Sequence, residues 1–85
     1  MKREPVQSQA LHSVGYDPDA RVLEVEFESG AVYRYFDVPA HLYASLMTAA
    51  SHGEYFARHV RNAGFEFLQL QTSPGGSPRR RLTRP

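Results

Sequence analysis

The residues best suited to chemistry in this chain are cationic and aromatic. Tyr33-Arg34-Tyr35 alternates two phenols with a guanidinium, and Arg58 and Arg61 lie three positions apart. Arg79, Arg80 and Arg81 form a run near the end of the sequence, with Arg84 beyond it. Guanidinium forks fit phosphate oxygens, and aromatic rings on a sheet stack nucleobases. Each group also has a plainer reading. The tyrosines can be core, the arginines can pair with Glu24 and Glu54, and the run can be a solvated tail without a partner.

Four histidines invite a metal or acid–base reading: His12, His41, His52 and His59. No two have the four-residue helical spacing of a zinc site, and the chain contains no Cys. Ser51 precedes His52, but Ser51-His52-Gly53-Glu54 matches a helix capping box before it matches a nucleophile. No catalytic residue, metal or cofactor is therefore expected, and the chain reads as a non-enzyme.

The elements that position these groups follow from periodicity. Arg21 to Glu28 alternates apolar and acidic residues, so Leu23, Val25 and Phe27 face a core while Glu24, Glu26 and Glu28 face water. Before it, Leu11 to Tyr16 alternates weakly, with Ala10, His12 and Val14 on one side and Leu11, Ser13 and Gly15 on the other. Asp17-Pro18-Asp19-Ala20 joins the two as a tight turn. After Glu28-Ser29-Gly30, the segment Ala31 to Phe36 has strand composition.

The connection between these last two strands sets the register. A three-residue loop with Gly30 in the left-handed bulge position pairs Phe27 with Ala31, Val25 with Tyr33 and Leu23 with Tyr35. That register turns both tyrosines towards the core and sets Arg34 opposite Glu24. A two-residue loop would slip the pairing by one and flip every side chain. The first register buries apolar surface and pairs opposite charges, and is preferred.

Pro39 to Ala50 repeats apolar residues at helical spacing and carries no Asp, Glu, Lys or Arg. A second helix starts at Ser51 and stops near Gly64, and residues 65–71 have strand composition. The fold class expected is α+β: a three-stranded antiparallel meander, two short helices, and a fourth strand. Residues 1–5 read as a flexible N-terminus, 6–71 as one domain and 72–85 as a disordered basic tail. Roughly 65–70 residues make a small core, without disulfide support. The sequence has no apolar run long enough to span a membrane and no signal-peptide pattern, and a cytoplasmic location is expected.

Charge is divided unevenly. Residues 1–71 hold six cations against all nine acids, a net −3, while the tail carries four arginines. Any phosphate attraction then comes mainly from the tail or from a local cluster.

Ser8, Val14-Gly15-Tyr16-Asp17, Leu23-x-Val25-x-Phe27, Gly30-x-Val32-Tyr33-x-Tyr35, Val38-Pro39, Tyr43, Ala50-x-His52-Gly53-x-Tyr55-Phe56 and Val60-Arg61 together resemble the KTSC domain. That domain occurs at the C-terminus of some lysyl-tRNA synthetases and as a stand-alone bacterial protein. The resemblance covers about residues 6–63 and implies an RNA-binding accessory module, with tRNA as the partner. The nucleic-acid contacts expected are Arg34, Arg58, Arg61, Tyr33, Tyr35, Arg79, Arg80 and Arg81. The alternative is a protein-interaction or self-associating module that uses the charge-free helix 39–50.

Overall fold

A computed structural model describes residues 2–70. The basic tail, with Arg79, Arg80 and Arg81, lies outside the described residues. Five antiparallel strands form one sheet in the order of the chain: β1 (Arg3–Pro5), β2 (Leu11–Asp17), β3 (Val22–Phe27), β4 (Val32–Tyr35) and β5 (Phe67–Leu70). Between β4 and β5 run helix α1 (Ala40–Thr48), helix α2 (His52–His59) and a 3-10 turn (Arg61–Ala63). The fold is α+β, with the expected meander as β2–β3–β4 and the expected added strand as β5.

The β3–β4 pairing is the preferred one. Leu23 faces Tyr35, Glu24 faces Arg34 and Val25 faces Tyr33. The loop closes as a three-residue connection, with Gly30 at φ 95° and Phe27 N–H donating to the Ala31 carbonyl at 2.9 Å. A residue with a Cβ reaches that left-handed conformation only with strain.

One face of the sheet carries Leu11, Val14, Leu23, Val25 and Tyr35, all buried. Val38, Leu46, Phe56 and Val60 close over them from the helical layer. Tyr16 stacks on Tyr43 of α1 at 5.2 Å and donates its hydroxyl to the Val38 carbonyl. Helix α2 is capped as expected, with the Ser51 hydroxyl accepting from Glu54 N–H at 3.2 Å. Gly64 ends the helical segment at φ 89°.

Three expectations change. Arg3–Pro5, expected to be flexible, forms β1 against β2, with Arg3 opposite Gly15. The side chain of Arg3 makes this docking possible, because it reaches acceptors on β2 and β3. Gly15 lets the strand approach: a Cβ there would meet the Lys2 carbonyl oxygen at 2.6 Å. The simple alternation expected in β2 is broken between Leu11 and Ser13, where the register shifts. That irregularity puts both Leu11 and Val14 in the core and leaves His12 exposed.

The third change concerns Glu24, expected to face water but only 4% exposed. It lies on the sheet face away from the helices, enclosed by two arginines. Arg34 Nε donates to its Oε1 at 2.8 Å, and an Arg3 guanidinium nitrogen donates to its Oε2. Arg3 Nε also donates to the Ser13 hydroxyl at 3.0 Å, and Ser13 donates to Glu26 at 3.0 Å. The network ties β1, β2, β3 and β4 together. No helix among the described residues is long and apolar enough to cross a membrane.

Two stability outcomes follow, read as urea midpoints. Glu24→Ala strips the shared acceptor from Arg3 and Arg34 and should cost about 2 kcal/mol, whereas Arg34→Ala at a half-exposed partner should cost under about 1. Gly15→Ala should cost about 1–3 kcal/mol through the collision with β1, and should speed amide exchange in β1 before it affects β3.

Candidate nucleic-acid interface

The alternation of β4 decides where its three chemical residues go. Tyr33 and Tyr35 point to the helical side, and Arg34 points to the opposite face. On the helical side the tyrosines join an aromatic cluster. Phe27 meets Tyr33 edge-on at 5.5 Å and Phe56 at 5.4 Å. Tyr35 meets Phe56 at 5.5 Å, and Phe67 of β5 lies 5.7 Å from both tyrosines. These separations and edge-on angles suit the ring quadrupoles.

The two tyrosines are not equivalent. Tyr35 is 3% exposed and belongs to the core. Tyr33 is half-buried, and part of its surface lines a cleft of about 400 Å³. That volume falls within the roughly 300–1,000 Å³ of small-ligand pockets. Phe27 and Ala31 supply further apolar wall, Gln9, Ser29 and Glu28 supply polar groups, and Arg61 stands at the margin. The Arg61 guanidinium lies 5.8 Å from the centroid of the Phe56 ring. Arg61 is exposed and has no ion-pair partner among the described residues. An aromatic wall beside an unpaired guanidinium can hold a planar group and an anion side by side.

The three body arginines border different parts of the surface. Arg61 borders the Tyr33 cleft. Arg58 borders a different hollow, with Glu54, Tyr55 and His59. Arg34 is on the far face of the sheet, bound to Glu24. The physical reason is strand alternation, which cannot put Arg34 on the side of its neighbours Tyr33 and Tyr35. Helix α2 ends at His59, so Arg58 and Arg61 no longer follow a single helical face. Gln9 and Ser29 were not anticipated in the cleft. Gln9 precedes β2 and Ser29 sits in the β3–β4 loop, and only the pairing of β2 with β3 brings them together.

Three of the four histidines make local contacts. His12 lies 3.6 Å from a Glu28 oxygen, His52 Nδ1 lies 2.8 Å from the Leu46 carbonyl, and the His59 ring lies 4.2 Å from that of Tyr55. Among the described residues, no three His, Cys, Asp or Glu side chains form a metal-binding group.

Burial pushes the Tyr35 phenol up to about 12, against a smaller opposing pull from Arg61. Its hydroxyl therefore stays protonated throughout the physiological range. In the unfolded chain the same group ionises near 10. The folded state thus holds the proton more tightly, and stability should decline as pH rises from about 10 to about 12. Urea midpoints measured across that window should fall, and Tyr35→Phe should make the decline shallower.

Comparison with known proteins agrees with this architecture. Residues 7–65 match the family model of the KTSC domain. An uncharacterised protein of Stutzerimonas stutzeri is 52% identical over 70 residues, covering 82% of this chain and 99% of that one. The crystal structure of a KTSC domain protein from Yersinia pestis superposes with a TM-score of 0.76 at 36% identity, covering 82% of this chain and 97% of that one. A lysine–tRNA ligase of a Nostoc species is 38% identical over 55 residues, which cover 65% of this chain and 10% of the ligase. With the family match spanning most of the sheet and both helices, the chain belongs to the KTSC domain family.

Proposed function

We propose that this KTSC domain is a small non-catalytic RNA-binding accessory module, with tRNA as the RNA. The observation that carries the reading is the cleft between the half-buried Tyr33 ring and the unpaired Arg61 guanidinium. A nucleobase stacked on Tyr33 would gain about 1–3 kcal/mol without strong sequence preference. Its phosphate would be in reach of Arg61, whose fork suits phosphate oxygens. The relationship to a segment of lysine–tRNA ligases supports tRNA as the class of RNA.

Charge supports a division of labour. The body has a net −3 and attracts phosphate weakly, whereas Arg79, Arg80, Arg81 and Arg84 supply four cations in the tail. The tail would then provide salt-sensitive attraction by counterion release, and the cleft would provide the local contact. A second reading, contact with another protein, rests on α1, where Ala40, His41, Ala44 and Thr48 are exposed and no charge is present.

A tRNA titration at low and moderate salt separates these contributions. The full chain should bind, with a slope of log affinity against log salt of about −3 to −4 for the four tail arginines. A chain ending at Gln71 should bind more weakly and with a shallower slope. Arg61→Ala and Tyr33→Leu should each weaken binding by about five- to tenfold in the full chain, with the fold checked by circular dichroism. No binding by the full chain would overturn the reading. Binding unaffected by Arg61→Ala and Tyr33→Leu would assign it to the tail alone. Nuclease-resistant capture of a purified protein, lost on Ala44→Glu, would favour the α1 reading.

A further inference from the structure

The two edges of the sheet are built differently. At one edge, β1 reads Arg3-Glu4-Pro5. Charge and proline both discourage a further strand from adding there. At the other edge, β5 reads Phe67-Leu68-Gln69-Leu70. It carries no charge, no proline and no irregularity in its pairing with β4, and the sequence stays uncharged to Ser73. Natural edge strands are usually blocked by one of these devices.

The register states which groups are left free. Phe36 N–H donates to the Glu66 carbonyl at 2.9 Å, which makes that pair a hydrogen-bonded one. Alternation then directs the main-chain groups of Glu66, Leu68 and Leu70 to β4. Those of Phe67 and Gln69 point outward, with no partner among the described residues.

We propose that this edge pairs with β5 of a second copy of the chain, antiparallel, about a two-fold axis at Leu68. Phe67 then exchanges both main-chain hydrogen bonds with the partner's Gln69, and Gln69 does the same with the partner's Phe67. The pattern is self-complementary because the two outward-facing residues flank the axis symmetrically. Leu68 meets the partner's Leu68 on the face away from the helices, where Val32 and Leu70 extend the apolar strip. No like charges are opposed, because Glu66 falls opposite the partner's Leu70. The result is one continuous ten-stranded sheet. A two-fold axis normal to the sheet keeps both Tyr33–Arg61 clefts on the same side, where one RNA could engage both. The pairing does not depend on the RNA reading, and each is tested by its own measurement.

Sedimentation velocity of the full chain from micromolar to millimolar concentration should show a monomer–dimer equilibrium. Gln69→Pro removes an outward N–H that the β4 ladder does not use, and should weaken the dimer at least tenfold with the far-ultraviolet circular dichroism unchanged. Gln69→Ala should leave the dimer intact. Leu68→Lys, which brings two cations together at the axis, should also dissociate it and provides the test if Gln69→Pro fails to fold. The Gln69 amide should exchange more slowly as concentration rises. A monomer at every concentration, or a dimer that survives both Gln69→Pro and Leu68→Lys, would overturn the proposal. A Gln69 amide protected equally at all concentrations would also overturn it, since the chain's own residues would then cover the edge.

Discussion

The carboxylate of Glu24 is the constraint around which this domain is arranged. A carboxylate removed from water is tolerated only with charged or hydrogen-bonding partners. Here both partners come from other strands, Arg34 from β4 and Arg3 from β1. A slip of β4 by one residue would take Arg34 away from Glu24 and leave the acid with Arg3 as its one charged partner. The same slip would drive both tyrosines out of the core. One ion-pair cluster therefore specifies the register of the central hairpin and draws in the N-terminal strand. Ser13 and Glu26 complete the hydrogen bonding, and no buried side-chain polar atom among the described residues lacks a partner.

The site follows from that register. Once Arg34 is committed to Glu24, it cannot serve the face on which Tyr33 and Tyr35 stand. The cation at the aromatic face must come from elsewhere in the chain, and Arg61 supplies it from the turn after α2. Burial then separates the two tyrosines. Tyr35 packs against Phe56 and Phe67 and keeps its proton to about 12, so it is a neutral structural group. Tyr33 keeps part of its surface open. One residue of the Tyr-x-Tyr pair thus stabilises the fold and the other is available for contact.

The sheet edges express a related economy. Arg3 serves both to dock β1 and to make that edge unattractive to another strand. At the opposite edge β5 contributes Phe67 to the aromatic cluster, while its other apolar residues, Leu68 and Leu70, lie on the far face opposite Arg34 and Val32. That composition leaves the edge without charge.

Much of this was legible in the residues alone. The period-two alternation of β3, the Gly30 loop and the Ser51 cap are local signals, and each corresponds to an observed element. The preference of Tyr33 and Tyr35 for the core side followed from loop length and the Glu24–Arg34 match. Strand β1 was not legible, because three residues carry no periodicity and their order comes from Arg3 reaching across two strands. The irregularity in β2 was hidden for the same reason: Leu11 and Val14 share a face only when β3 dictates their pairing. Whether Arg34 stands beside Arg58 and Arg61 was not legible, because spacing reports neighbours along the chain, not which side of a sheet each one occupies. The sequence by itself determined the elements other than β1, the central register and the charge division between body and tail. The tertiary structure alone decided the burial of Glu24, the placing of Arg34 on the far face and the meeting of Tyr33 and Arg61 along one cleft, because those depend on contacts between residues far apart in the chain.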